Sequence, residues 1–219
     1  MKKRLCTVAF ALVLPGVVFA ATYDDLINAA KLGAAQEVGQ ILQKGASVET
    51  TDIDGNTLLI LAARDGHVEL VELLIKQRAR LNAMNAAGDT ALRIAAFRGH
   101  LSVVQALISG GANVDNEGWT PLAYAAFTGH FKIAQALVNA GADINAASGN
   151  GTTPLIAAAR GGNVEIVKLL LSKKADTNKK IESGETALDI ALKNQNTDIA
   201  ELIQAVGGKS GRSVSIEVK

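Results

Sequence analysis

A seven-residue pattern returns along this chain at Thr57–Ala63, Thr90–Ala96, Thr120–Ala126, Thr153–Ala159 and Thr186–Leu192, with one interval, before Thr120, shorter than the rest. Such a period, about 33 residues, restricts the fold to a stack of similar small units, because one unit of that size cannot bury its own apolar face. Each copy opens on threonine, places leucine two residues later and closes on a small or apolar pair. Counting back one full period from Thr57 reaches Asp24, which opens a degenerate first copy, Asp24–Ala30. Aromatic residues make up only 4% of a chain that is 48% hydrophobic, so the core must be assembled from Ala, Leu, Ile and Val in repeated packets.

Between copies the order of elements is constant. Gly66-His67, Gly99-His100 and Gly129-His130 follow the threonine motifs, then an apolar segment such as Val71-Glu72-Leu73-Leu74-Ile75, then closing runs such as Gly111-Ala112-Asn113-Val114-Asp115 and Gly141-Ala142-Asp143-Ile144-Asn145. Each Thr can cap a first helix through its hydroxyl, and Pro121 and Pro154 fit the first helical turn, where a missing N–H does no harm. Gly66, Gly99, Gly129 and Gly162 fall in the turn between helices, where a left-handed backbone suits glycine.

Over residues 22–207 the chain resembles the ankyrin-repeat family, whose pattern runs T-P-L-H-x-A-A, G-H, V-x-L-L-L and G-A-D-V-N. The resemblance implies an all-α repeat solenoid of paired helices joined by β-hairpin or loop fingers, with about six repeats, two of them caps. The C-terminal copy departs as a cap should: Gln204 stands where Ile75, Ile108, Val138 and Leu171 stand in earlier copies, and Gln195-Asn196 replaces Gly-His.

Residues 1–20 have another character. Lys2, Lys3 and Arg4 precede an apolar run from Leu5 to Phe19, ending in Val18-Phe19-Ala20. This reads as a signal peptide cleaved after Ala20; as a membrane anchor the run falls short of the roughly 20 residues a bilayer requires. Ala21, where a lipoprotein would carry Cys, argues against lipidation. Cys6, the chain's one cysteine, lies inside this segment, leaving the mature chain without thiols in an oxidising compartment. The segment holds three of the 22 basic groups and none of the 21 acidic ones, so its removal takes the formal charge from +1 to −2. A balance so near zero argues against nucleic acid and against a polybasic membrane patch. The expected location is periplasmic, without membrane insertion after cleavage.

His67, His100 and His130 recur at one phase of the repeat, so their spacing records the repeat and not a site. They are expected to hydrogen-bond backbone of the neighbouring repeat, and neither a metal nor a cofactor is expected. No phosphate-binding glycine loop, zinc-type cysteine pair or nucleophile elbow is visible. No catalytic residue is assigned and the chain is expected not to be an enzyme.

The resemblance implies a protein partner on the concave face, formed by finger tips and the exposed sides of the first helices. Carried over position by position, this selects Arg64, Asp65, Phe97, Arg98, Trp119, Phe127, Thr128, Arg160 and Lys193, together with the finger positions Asp54, Asn56, Ala87, Asp89, Asn150 and Thr152. Phe97 and Phe127 share a phase in adjacent repeats, and Trp119 precedes Thr120. Exposed rings either cover the helix layer or anchor a partner. The short interval before Thr120 removes three residues from one finger, which is either neutral variation in loop length or a notch edged by Trp119. Arg64, Arg98 and Arg160 favour a partner with some acidic character. Beyond Gly207 a tail, residues 208–219, ends in the alternating Ser213–Lys219, which reads as a frayed terminus or as a strand able to pair with a partner.

The chain also looks like periplasmic ankyrin-repeat proteins of Gram-negative bacteria, some associated with catalase and peroxide resistance. The expected function is therefore a non-catalytic scaffold that supports a resident protein, with an immunity or inhibitor protein acting on a periplasm-delivered toxin as the alternative.

Overall fold

The computed structural model describes residues 22–211. The signal segment and the alternating stretch Ser213–Lys219 lie outside the described residues. Twelve α-helices follow one another among those residues: α1 (Tyr23–Lys31), α2 (Ala35–Gln43), α3 (Leu58–Asp65), α4 (Val68–Lys76), α5 (Ala91–Arg98), α6 (Leu101–Ser109), α7 (Pro121–Thr128), α8 (Phe131–Asn139), α9 (Pro154–Gly161), α10 (Val164–Ser172), α11 (Ala187–Lys193) and α12 (Thr197–Ala205). Odd-numbered helices are the first helices of six repeats and even-numbered ones the second. Of the hairpin or loop fingers expected, the described ones are loops and turns: among the described residues the isolated bridge Thr51 to Thr57 is the one β pairing. No described helix is long and apolar enough to cross a membrane.

The chain divides into two compact units, one of residues up to Ala95 with Ser102–Ala112, the other of Ala96–Leu101 with Asn113 onward. In the first, α1 packs on α3 and α2 on α4; in the second, α9 lies between α7 and α11, and α10 between α8 and α12. Second helices place a fully buried leucine at one shared phase of the repeat: Leu74 in the first unit, Leu137 and Leu170 in the second. The alanine pairs of the first helices, such as Ala62-Ala63 and Ala125-Ala126, are wholly buried, as close helix approach demands.

The threonine caps form as the motif predicts. Thr57, Thr120 and Thr153 accept from the backbone N–H three residues on, at 3.2, 3.1 and 3.3 Å. Pro121 and Pro154 open α7 and α9. The first repeat differs from the expectation. Its cap is Thr22, in a reciprocal capping box with Asp25, so Asp24 sits inside the first turn and not at the start of the copy.

The histidines bind backbone across repeats. His67 Nε2 lies 2.9 Å from the Lys31 carbonyl and His130 Nε2 3.2 Å from that of Phe97. A carbonyl can only accept, so Nε2 carries the proton in both rings. Asn163 substitutes at the same phase, its amide donating to the Ala126 and Phe127 carbonyls at 2.7 and 2.9 Å. The ring of His130 also fills the space a side chain on Gly99 would need: a Cβ there would meet it at 2.6 Å, and Gly99 has φ +86°.

At the equivalent turn of the last repeat, Gln195 holds φ 61° without glycine's freedom. A left-handed backbone costs an L-residue roughly 1–2 kcal/mol. Gln195→Gly is therefore expected to stabilise the last repeat by about 1 kcal/mol after glycine's own entropy is counted, read as a higher urea midpoint. An unchanged or lower midpoint would show that the Gln195 side chain contributes more than the strain it causes.

Residues 208–211 continue the array. Asp176 N donates to Asn145 Oδ1 at 2.8 Å, and one repeat later Lys209 N donates to Asn178 Oδ1 at 3.2 Å. Asp189, at the start of α11, accepts from the Ser210 hydroxyl and from the amides of Gly211 and Thr186 at 2.7 and 2.8 Å. Burial works against its charge, but the hydrogen bonds from Ser210, Thr186 and Gly211 outweigh it and hold the carboxyl down to about 2. A carboxylate depressed on folding contributes stability above its unfolded value near 4, and loses that contribution as pH falls towards 2. Wild type should lose stability between pH 5 and 2 more steeply than Asp189→Asn, measured as urea midpoint against pH. Parallel curves would contradict the assignment.

Candidate functional site

The sequence-selected residues fall into two groups, one in each unit. In the first unit Arg64 and Asp65, at the end of α3, form a two-pronged pair, Nε to Oδ1 at 3.2 Å and Nη2 to Oδ2 at 3.0 Å. The hydrogen bond to Asp65 holds the Arg64 guanidinium above its ordinary value, against partial burial. Asp65 therefore already engages the guanidinium of Arg64. Asn56 is buried there, with its amide donating to both oxygens of Asp52 at 3.1 and 3.0 Å, so it braces the finger. Asp89 likewise pairs with the buried Arg93 at 3.5 Å. The exposed apolar residues of these fingers are Ile53, at 96%, and Met84, at 53%.

The second unit brings Phe97, Trp119 and Phe127 together around a residue the motif had absorbed. Tyr124 is the hub: its ring centroid lies 5.4 Å from Phe97, edge to face, and 5.2 Å from Trp119. Trp119 in turn meets Phe127 edge to face at 5.8 Å. Tyr124 stands three residues before Phe127 on α7, hence on the same helix face. The signal that could have found it is the tyrosine itself, where the other copies carry Leu61, Ile94, Ala157 and Ile190. Phe97 and Phe127 remain 43% and 38% exposed, so a partner can still remove apolar ring surface from water. Such edge-to-face pairs contribute roughly 0.5–1.5 kcal/mol each beyond area burial, which fixes the rings before any partner arrives.

The shortened finger delivers Trp119 to this cluster. Asp115 accepts from Asp143 N with both oxygens, at 3.1 and 3.0 Å, the bond that Asn145 makes to Asp176 one repeat later. The partners stand 28 positions apart here and 31 there. The finger ladder thus survives the deletion, and the residues lost are those between the ladder and the turn at Gly118, φ +81°. Trp119 follows directly and lies half-buried against the first-helix rings, not out on a finger tip.

The remaining members divide by what they already bind. Thr128 donates its hydroxyl proton to the Tyr124 carbonyl at 2.8 Å, so it has no proton left for a partner. Arg98 is exposed and Arg160 half-exposed, and neither guanidinium has an ion pair among the described residues. Thr152, selected from sequence as an outward finger position, is 1% exposed and belongs to the interior. Among the described residues no group of three His, Cys, Asp or Glu is placed to hold a metal ion.

Stacked helix pairs, turn-linked, with an exposed aromatic face on the first helices, define a repeat protein of the interaction type. The family described as "Ankyrin repeats (3 copies)" matches residues 26–114, 77–148 and 146–210, and the chain belongs to the ankyrin-repeat family. Among solved structures, the crystal structure of the human ASB11 ankyrin repeat domain is similar, with a TM-score of 0.76 and 25% identity over 85% of this chain and 89% of that one. No curated protein matches the sequence. The ankyrin fold serves generally as a non-catalytic protein-interaction domain.

Proposed function

We propose that this chain is an exported, non-catalytic protein-binding scaffold that works in the periplasm and supports a resident protein there, such as an enzyme of peroxide defence. The observation that carries the binding reading is the ring cluster of Phe97, Trp119, Tyr124 and Phe127, with two phenylalanines left open to solvent on the first-helix face. Large rigid rings with few rotatable bonds are what interface hot spots are made of. Export is supported by the basic start, the apolar run and the Val18-Phe19-Ala20 ending of the first twenty residues. The peroxide-defence assignment rests on the resemblance to periplasmic ankyrin-repeat proteins.

The test is affinity capture from a periplasmic extract, with the protein and its Phe97→Ala/Trp119→Ala/Phe127→Ala variant side by side. The scaffold reading expects a stoichiometric resident enzyme that the variant fails to hold. Recovery of a secreted toxin instead would favour an immunity role on the same face. A partner held equally by both proteins would contradict the proposed face.

A further inference from the structure

Neighbouring fingers are joined at two levels, and the clipped finger keeps the lower one alone. At the base, a side chain of one finger accepts the backbone N–H of the next: Glu49 from Arg80 at 2.8 Å, Asn145 from Asp176 at 2.8 Å, and Asp115 from Asp143 at 3.1 and 3.0 Å. At the tip, where both fingers have full length, backbone meets backbone. Ala86 N donates to the Asp54 carbonyl and Glu182 N to that of Asn150, each at 3.1 Å. Ala86 and Glu182 both stand four residues before the threonine of their repeat, and in the finger that follows the clipped one this position is Gly149. The Gly149 N–H donates to no group among the described residues. With three residues fewer after Asp115, the clipped finger does not bring a carbonyl up to this donor. Gly149 is also bare. The other full-length fingers carry Ile53, Ala86 and Glu182 here, whereas Gly149 is exposed and a Cβ on it would meet no atom within 4 Å. The slot over the clipped finger is thus bordered by an unpaired main-chain donor that no side chain screens, and the clipped finger itself ends on Trp119 of the ring cluster.

We infer that a loop of the partner protein fills this slot as a surrogate finger tip. One of its main-chain carbonyls accepts from Gly149 N–H, as the Asn150 carbonyl accepts from Glu182, and an apolar side chain next to that carbonyl rests on Trp119 and Phe127. The inference rests on the reading of the ring face as the binding face and adds main-chain recognition to it. A loop placed here gains what an added strand gains at an open sheet edge: backbone hydrogen bonding holds it, and the side-chain surface beside it selects it. Glycine at position 149 lets the two backbones approach, where a bulky side chain would hold them apart. A phosphate could accept the same bond, but a chain with a formal charge of +1 supplies no field to hold a nucleic acid there.

The test uses a library of disulfide-constrained random peptides, which present turns, selected on the immobilised protein. Enriched peptides are titrated by fluorescence polarisation and added to isotope-labelled protein, whose amide exchange is followed by NMR. They are expected to slow exchange at Gly149. Gly149→Pro removes the donor and keeps the turn: Gly151 N donates to the Ser148 carbonyl at 2.8 Å, so Gly149 is the first central residue of a β-turn, and its φ is not positive, a setting that favours proline. This variant should weaken the peptides roughly three- to tenfold, the contribution of one hydrogen bond. Gly149→Leu fills the slot and should weaken them further. Insertion of Ala-Ala-Ser between Asp115 and Asn116, after the pattern of Ala146-Ala147-Ser148, restores the finger's length and should abolish their binding, with circular dichroism unchanged. Wild-type affinity in all three variants, or a selection in which no enriched peptide protects Gly149, would overturn the inference; peptides still lost by the Phe97→Ala/Trp119→Ala/Phe127→Ala variant would leave the ring face standing. Peptides held equally by that ring variant would overturn the face itself. Protection of Gly149 that rises with protein concentration in the absence of peptide would give the slot to a second copy of the chain and overturn the partner loop.

Discussion

Replacing Phe97, Trp119 and Phe127 together by alanine should abolish measurable partner binding and leave the helix content intact. Truncating a hot-spot aromatic typically costs about 2 kcal/mol or more, and removing three neighbours that share one cluster leaves little of a binding free energy of ordinary size. The three side chains are not needed to close the core in the way Leu137 or Leu170 is: Phe97 and Phe127 are partly open to water, and the buried threonine, leucine and alanine positions of α7 are untouched. Loss of the edge-to-face pairs should lower stability by roughly 1–3 kcal/mol in total, which binding measurements at low temperature tolerate. Isothermal titration against a captured partner, with circular dichroism as control, reads both effects. Retained affinity in a folded triple variant would rule out the aromatic face as the binding site.

Gly161→Ala should be a strongly damaging small substitution in the second unit. A Cβ at Gly161 would overlap the Phe127 carbonyl oxygen and stand 2.5 Å from Asn163 Nδ2. Backbone cannot swing aside as a long side chain can, so α7 and α9 would have to part. The cost combines overpacking of about 1–3 kcal/mol with weakening of the Asn163 bonds to Ala126 and Phe127, roughly 1 kcal/mol each. Gly162→Ala is the natural control. Its φ of +72° makes alanine strained, but the nearest atom, Asn196 Nδ2, is at an ordinary 3.5 Å, so it should lose only the backbone term of roughly 1–2 kcal/mol. Urea denaturation should rank Gly161→Ala clearly below Gly162→Ala. The same variant should weaken partner binding, because the displaced carbonyl belongs to Phe127. Equal stability of the two variants would mean that α7 and α9 approach less closely than these distances require.

The repeat made most of the fold legible. A threonine once per repeat, proline just inside the helix and glycine just past it are local signals, and local signals survive without knowledge of the tertiary structure. The histidines were legible for the same reason, since a phase shared with Gly-His points to repeat packing before it points to chemistry. The site was only half legible. Phe97, Phe127 and Trp119 stood out as departures from the pattern, but Tyr124 occupies a position that Leu, Ile or Ala fills in the other threonine-led copies, and nothing in a linear pattern shows that its ring reaches between Phe97 and Trp119. The pairing of Arg64 with Asp65 depends on rotamers, and the burial of Thr152 on how its finger lies, so both outward assignments from sequence missed them. The start of the first repeat shifted from Asp24 to Thr22 because a capping box outweighs a strict count of the period.

Trp119 is the chain's single tryptophan, and its emission therefore reports on the proposed site alone. Titration of the purified protein with its captured partner, excited at the indole band and using a partner whose tryptophans are replaced by the non-fluorescent 4-fluorotryptophan, reads most directly whether the partner sits on these rings. Binding over the Phe97–Tyr124–Trp119–Phe127 cluster predicts a saturable change in Trp119 emission whose midpoint equals the affinity measured by calorimetry. Tight binding with an unaltered Trp119 spectrum would place the partner elsewhere and contradict the aromatic face as the binding site.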